Sequence, residues 1–155
     1  MSFHEAMLQD HLKLDTMLES LIDAARAGDR DELGRRWDIF ESVLLAHVDA
    51  EEMFMLPALA RHDPARAKAI HDEHAKIREV LATAALALDL HTMKEEHLVE
   101  LRVKIEEHAR SEEVDFYRWA DEALPQTTLA SIRRRLEKQL RGAVVKVASA
   151  RWSHS

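Results

Sequence analysis

Apolar residues recur at helical spacing along almost the whole chain. Met7, Leu8, Leu14, Leu18, Leu21 and Ile22, with His11 among them, predict a first helix from about His4 to Ala27, which Gly28 stops. A second is predicted from near Asp31, with Leu33, Trp37, Phe40, Leu44, His47, Glu51, Phe54 and Met55 on one broad face, kinking or ending at Pro57. Asp63 before Pro64 reads as an N-cap with proline at the first helical position, opening a third helix through Ile70, His74, Ile77 and Leu81 to about Leu90. Thr92 and Glu95 have capping-box spacing for a fourth, which carries Leu98, Leu101, Ile105, His108, Glu112, Phe116 and Trp119 towards Pro125. A shorter fifth is expected from Thr127 or Thr128.

Four long helices with short connections predict an all-α fold, an up-down-up-down four-helix bundle with an additional C-terminal helix. The boundary is placed after residue 126, with a basic amphipathic helix and tail over 127–155. Three glycines, three prolines and 33% charged residues agree with helices, and 155 residues suffice for one sizeable core. The absence of cysteine excludes disulfides, thiolate metal sites and cysteine nucleophiles, so any metal must use nitrogen and oxygen donors. No apolar run approaches the roughly 18 residues of a membrane span and the start does not resemble a signal peptide, so a soluble, cytoplasmic protein is expected.

Two residues on the second predicted helix do not belong in an apolar stripe. His47 and Glu51 sit four apart beside Leu44, Phe54 and Met55, and an unpaired buried carboxylate costs several kcal/mol unless a cation or proton joins it. The motif has an echo. "DHLKLDTMLESL" precedes "HVDAEE" in the first half and "EHAKIREVLATA" precedes "HARSEE" in the second, with 36 and 34 residues from lone histidine to His-x-x-x-Glu. Two helix pairs related by a pseudo-twofold axis would each contribute the same donors. Residues four apart share a helix face, so His47/Glu51 and His108/Glu112 can point inward with His11 and His74. Such a set suits paired first-row ions about 3.5 Å apart, iron first and manganese or zinc behind it, with imidazoles terminal and carboxylates able to bridge. A third pair, His91/Glu95, lies near a bundle end and reads as solvated, as do His4, His62, His97 and His154.

The order of a lone His, an HxxxEE followed by proline, "HDEH" and a second HxxxEE, across about residues 4–125, resembles the hemerythrin-like, HHE cation-binding family. The resemblance implies a bundle holding a non-haem di-iron centre, oxo- or hydroxo-bridged, that handles dioxygen or related small molecules. By position, His11, His47, His74 and His108 become terminal ligands, and Glu51 and Glu112 bridging carboxylates. Oxygen-carrying members place a further histidine four residues before the third-helix ligand, where this chain has Ile70. His71 lies three before, about 60° round the helix, and is taken as a seventh candidate. Those members also set the last carboxylate five residues after its histidine, which would select Glu113; Glu112 is preferred because i+4 lies about 40° from His108 and i+5 about 140°.

Several functions remain open on these residues. One is a di-iron protein that binds or senses O2, NO or peroxide; a second is peroxidase, catalase-like or NO-reducing turnover at the same centre; a third is metal storage or iron sensing. A fourth concerns the tail: residues 128–155 hold seven Lys/Arg against one Glu in a chain of net charge −7, and Ile132, Leu136, Leu140, Val144 and Val147 form an apolar stripe. That helix could meet a partner, an anionic lipid surface, a dimer mate or its own acidic bundle, the last two being favoured on charge. Nucleic-acid binding is not expected of an acidic chain without a recognised motif.

Overall fold

In the computed structural model the structure describes residues 1–152, with side chains described through Ala143. Six helices follow in order: α1 Phe3–Ala27, α2 Arg30–Phe54, α3 Leu56–His62, α4 Pro64–Asp89, α5 Glu95–Ala123 and α6 Gln126–Trp152. Among the described residues there is no strand. Helix α1 packs on α2 and α5, and α4 packs on α5 and α2, so these four close a ring; α3 bridges α2 and α4.

Helix ends follow from local chemistry. Ser2 caps α1 with its hydroxyl on the Glu5 amide while the Glu5 carboxylate accepts from the Ser2 amide. The next two amides, of Phe3 and His4, donate to Asp121 at 3.2 and 2.9 Å, which ties the start of α1 to the end of α5. Gly28 takes the left-handed conformation at φ 69°, letting Gly28 and Asp29 donate to Ala25 and Ala24, and Asp29 then caps α2 through the Glu32 amide. Asp63 caps α4 as expected.

Three elements depart from expectation. The backbone breaks at Met55, so "LPALARH" forms a separate short helix with Pro57 in its first turn, where a missing N–H costs nothing. Thr92 and Glu95 form no capping box: the Thr92 hydroxyl and amide both donate to Ala87 O at the end of α4, with His91 left-handed at φ 56°. Helix α5 starts later, at Glu95, where His97 Nδ1 accepts from the Lys94 amide, and Glu95 pairs with Arg26 instead. The last helix is not short, spanning 27 residues.

Two apolar clusters make the core. One gathers Leu14, Leu18, Leu21, Trp37, Phe40, Leu44, Ile77, Leu81, Leu98 and Leu101. The other gathers Phe3, Met7, Met55, Ile70, Phe116 and Tyr117 with Leu129, Ile132 and Leu136 of α6. Helix α6 lies chiefly along α2. Arg135 sits 5.7 Å above the Phe54 ring and Arg133 donates to Met1 O at 3.5 Å. Burial of Leu129, Ile132 and Leu136 seats the helix. Val144 and Val147 lie outside the residues whose side chains are described.

Two glycines separate backbone strain from packing. A Cβ at Gly28 or at Gly34 would meet nothing within 4 Å, but only Gly28 has positive φ. Gly28→Ala is therefore expected to destabilise the protein by about 1–2 kcal/mol, and Gly34→Ala, inside α2, to stabilise it by up to about 1 kcal/mol, both read from urea unfolding.

Candidate metal centre

Between the two apolar clusters lies a polar layer drawn from α1, α2, α4 and α5. On each helix it falls between core residues of the two clusters: His11 between Met7 and Leu14, His47 and Glu51 between Leu44 and Met55, His74 between Ile70 and Ile77, His108 and Glu112 between Leu101 and Phe116. Glu51, His74 and Glu112 have no exposed surface, and His47 and His108 are buried. The i, i+4 spacing places both HxxxE pairs inward, with His47 Nε2 3.5 Å from Glu51 and His108 Nε2 3.0 Å from Glu112.

Six of the seven residues expected from the sequence converge. Donor atoms of Glu51, His74, His108 and Glu112 lie within 4.8 Å of one another, as do those of His11, His47 and Glu112. Glu112 belongs to both groups. Glu51 also lies between them, 3.2 Å from His74 Nε2 through one oxygen. His71 belongs to neither group; its side chain is 63% exposed, with Nε2 3.9 Å from Glu52. Ile70, where oxygen carriers are expected to have histidine, is fully buried in apolar surroundings. Glu113, the i+5 alternative to Glu112, turns away from the layer and meets His11 Nδ1 at 2.8 Å.

That last contact is one of four. Asp10 of α1 meets His47 Nδ1 of α2 at 2.5 Å, Glu52 of α2 meets His74 Nδ1 of α4 at 3.3 Å, Glu73 of α4 meets His108 Nδ1 of α5 at 2.7 Å, and Glu113 of α5 meets His11 Nδ1 of α1. The four pairs run round the ring of helices and close on themselves. Each carboxylate adjoins an inward-facing donor on its own helix and orients the histidine of the next. With Nδ1 held by a carboxylate, every Nε2 faces the centre as a donor. Arg78 anchors Glu52 in turn, at 2.5 and 2.8 Å.

Sequence reasoning left Asp10, Glu73 and Glu113 without this role and Glu52 as a residue behind the site or at the surface. A signal was present, because each is the immediate chain neighbour of a candidate donor. Tyr117 was missed altogether. Its position, five after Glu112, points about 140° away on a helical wheel, and only the length of the phenol returns its hydroxyl to the layer, 2.8 Å from Glu51 and 2.9 Å from Glu112.

The layer is built for positive charge. Burial, and then the neighbouring Glu112, push the Glu51 carboxyl up, whereas Glu112 is held well below the usual carboxylate range because the adjacent imidazoles of His108, His11 and His74 overcome its burial. Burial alone would lower the histidines, yet the carboxylates raise all four, His47 to about 9 and His74 to about 10. Burial, then Glu112 and Glu51, lift the Tyr117 phenol well above its ordinary value. Protons alone do not satisfy the layer: among the described residues Glu51 Oε1, His74 Nε2, His108 Nε2 and Glu112 Oε2 are buried without a hydrogen-bond partner. All four face the centre. Imidazole and carboxylate donors of this kind fit a first-row cation.

A family model, the hemerythrin HHE cation-binding domain, matches residues 2–145. The chain belongs to the hemerythrin HHE family. Membership implies cation binding, and the buried His/Glu layer of this hemerythrin domain is where a cation fits. The match includes most of α6 as well as the ring of four helices. No curated protein and no solved structure matches the chain. Among the described residues no helix of the hemerythrin domain is long and apolar enough to cross a membrane.

Two outcomes follow from the ring and its protons. Glu73→Gln is expected to weaken metal binding about 10–100-fold with an unchanged far-UV circular dichroism spectrum. At pH 7 His47 and His74 are protonated before metal enters, so binding should release at least two protons, measured by titration calorimetry in buffers of different ionisation enthalpy. Both folded values exceed the ordinary 6.5, so the stability they contribute to the metal-free protein is complete below about pH 6.5 and is lost as pH rises through about 9 and about 10. Its melting temperature should fall across that window.

Proposed function

We propose that this is a non-haem di-iron protein that binds or senses dioxygen or a related small molecule, nitric oxide or peroxide, at the His/Glu layer. The observation that supports the reading is that Glu112 belongs to two donor groups, an arrangement suited to two cations joined by a carboxylate. His11 and His47 would be terminal ligands on one side, His74 and His108 on the other, with Glu51 and Glu112 bridging. Iron is preferred, with manganese or zinc able to use the same donors. When bound, such a centre supplies Lewis acidity and, for iron, one-electron chemistry with small diatomic molecules and peroxide.

The chain's own residues define access and environment. Cavities of about 300 Å³ and 190 Å³ are lined by His108, Ile77 and Glu73 and by His11, Ile105 and Glu113 respectively. Each borders one histidine of the layer and so offers a small molecule an approach to it. The apolar clusters on both sides keep bulk water away and strengthen charge interactions within. In this reading the ring of helices over residues 1–126 forms an up-down-up-down bundle, and the helix after it is an added cover.

One observation favours a second reading. With His71 turned to solvent, six His/Glu donors serve two ions, fewer than their preferred coordination numbers require. Open positions favour reaction with peroxide or nitric oxide over reversible carriage.

Anaerobic loading with ferrous iron, followed by O2 or NO, tests the proposal. Two irons per chain by elemental analysis and a charge-transfer spectrum that appears on exposure to gas are expected. A loaded protein indifferent to both gases would overturn gas binding, and sustained peroxide consumption would select the enzymatic reading. Chelation gives a separate check: metal a hundredfold above its Kd stabilises by about 2.7 kcal/mol, so its removal should lower the melting temperature by roughly 5–10 °C at this chain length.

A further inference from the structure

The hydroxyl of Tyr117 lies inside the donor layer rather than beside it. Its oxygen is 2.7 Å from His11 Nε2, 3.3 Å from His47 Nε2, 2.8 Å from Glu51 Oε2 and 2.9 Å from Glu112 Oε1. His11 and His47 are themselves 3.3 Å apart through Nε2. Donors held about 2.0–2.2 Å from one first-row cation stand roughly 3 Å apart when adjacent in its shell. All four contacts of the phenol oxygen have that spacing. The phenol's single proton serves only one of Glu51 and Glu112, so the other carboxylate faces the phenol oxygen with no hydrogen between them unless it carries a proton itself.

The surroundings hold the hydroxyl there. Tyr117 has no exposed surface; Phe116 stacks on its ring at 5.6 Å and Phe3 meets it edge-on at 6.3 Å between centroids. The side it faces is also the poorer in donors, with His11, His47 and Glu112 against four residues on the other. Nothing equivalent exists in the other half of the internal repeat, where the residue five after Glu51 is Leu56.

We propose that Tyr117 is a further protein ligand, a phenolate bound to the cation held by His11, His47 and Glu112. The inference rests on the metal centre proposed above. On binding, the O–H bond gives its proton to solvent and the oxygen takes up a bond to the cation, so one proton leaves per site. The two halves of the centre are then chemically unequal despite the repeat. An anionic oxygen donor favours the more highly charged ion, so the tyrosine side retains the ferric state more firmly.

The test is a resonance Raman spectrum of the iron-loaded, air-oxidised full-length chain, excited in its visible absorption. Phenolate ring modes are expected, and they should shift when the protein is made with ring-deuterated tyrosine. The chain contains a single tyrosine, so such modes can only be those of Tyr117. Tyr117→Phe should lose the modes and the visible band and hold the iron beside His11, His47 and Glu112 more weakly. Two irons in the wild-type protein without phenolate modes would overturn the ligand and leave the centre standing. Failure of the wild-type protein to take up iron would overturn both. If Y117F does not fold, the labelled wild-type spectrum decides alone.

Discussion

Two carboxylates buried side by side, Glu51 and Glu112, set the terms for the rest of this molecule. Neither has any exposed surface, and each lies in the other's field. An arrangement of this kind survives only where positive charge is delivered to the same place. Four histidines deliver part of it, and their positions fix how four helices must meet. The requirement is local, but meeting it takes residues from the whole chain.

The closed ring of carboxylate–histidine pairs carries that requirement outward. Each pair joins neighbouring helices, so rotating one helix would misplace both the histidine it presents and the carboxylate it lends to the next. Apolar packing on either side makes such rotation costly, since Phe40, Leu21 and Leu98 in one cluster and Ile70 and Phe116 in the other would lose close-packed contacts. The site and the core therefore stabilise the same geometry. Helix α6 extends the second cluster along α2 and covers the end nearer Tyr117 through Ile132 and Leu136.

The same arrangement sets a buried His/Glu layer close to the surface at two points. The His/Glu layer is largely buried, where fixed charges interact strongly, while His11 and His108 each border a surface cavity. His71 shows how narrow the distinction between site and surface is on a helix. Displacement by one residue from the position that Ile70 occupies leaves it beside Glu52 and in solvent, and the apolar cluster has taken the inward place.

Much of this was legible in the sequence. Helical periodicity gave the long helices, Gly28 and Asp63 marked true ends, and the repeated HxxxEE identified His47, Glu51, His108 and Glu112 as inward-facing. Those features are written in spacing along one helix, which 3.6 residues per turn turns directly into direction. Thr92, Met55 and the length of α6 were not: Thr92 closes the end of α4 on Ala87 O instead of opening α5, the break before Pro57 falls at Met55, and α6 runs on where it packs along α2. The outer carboxylates were hidden for another reason: Asp10, Glu52, Glu73 and Glu113 each act on a different helix from their own. Tyr117 was hidden by a helical wheel that places it off the face its hydroxyl reaches. The sequence by itself determined which donors exist and which way most of them point; only the tertiary structure decided which atoms share a centre, because that depends on distances between helices.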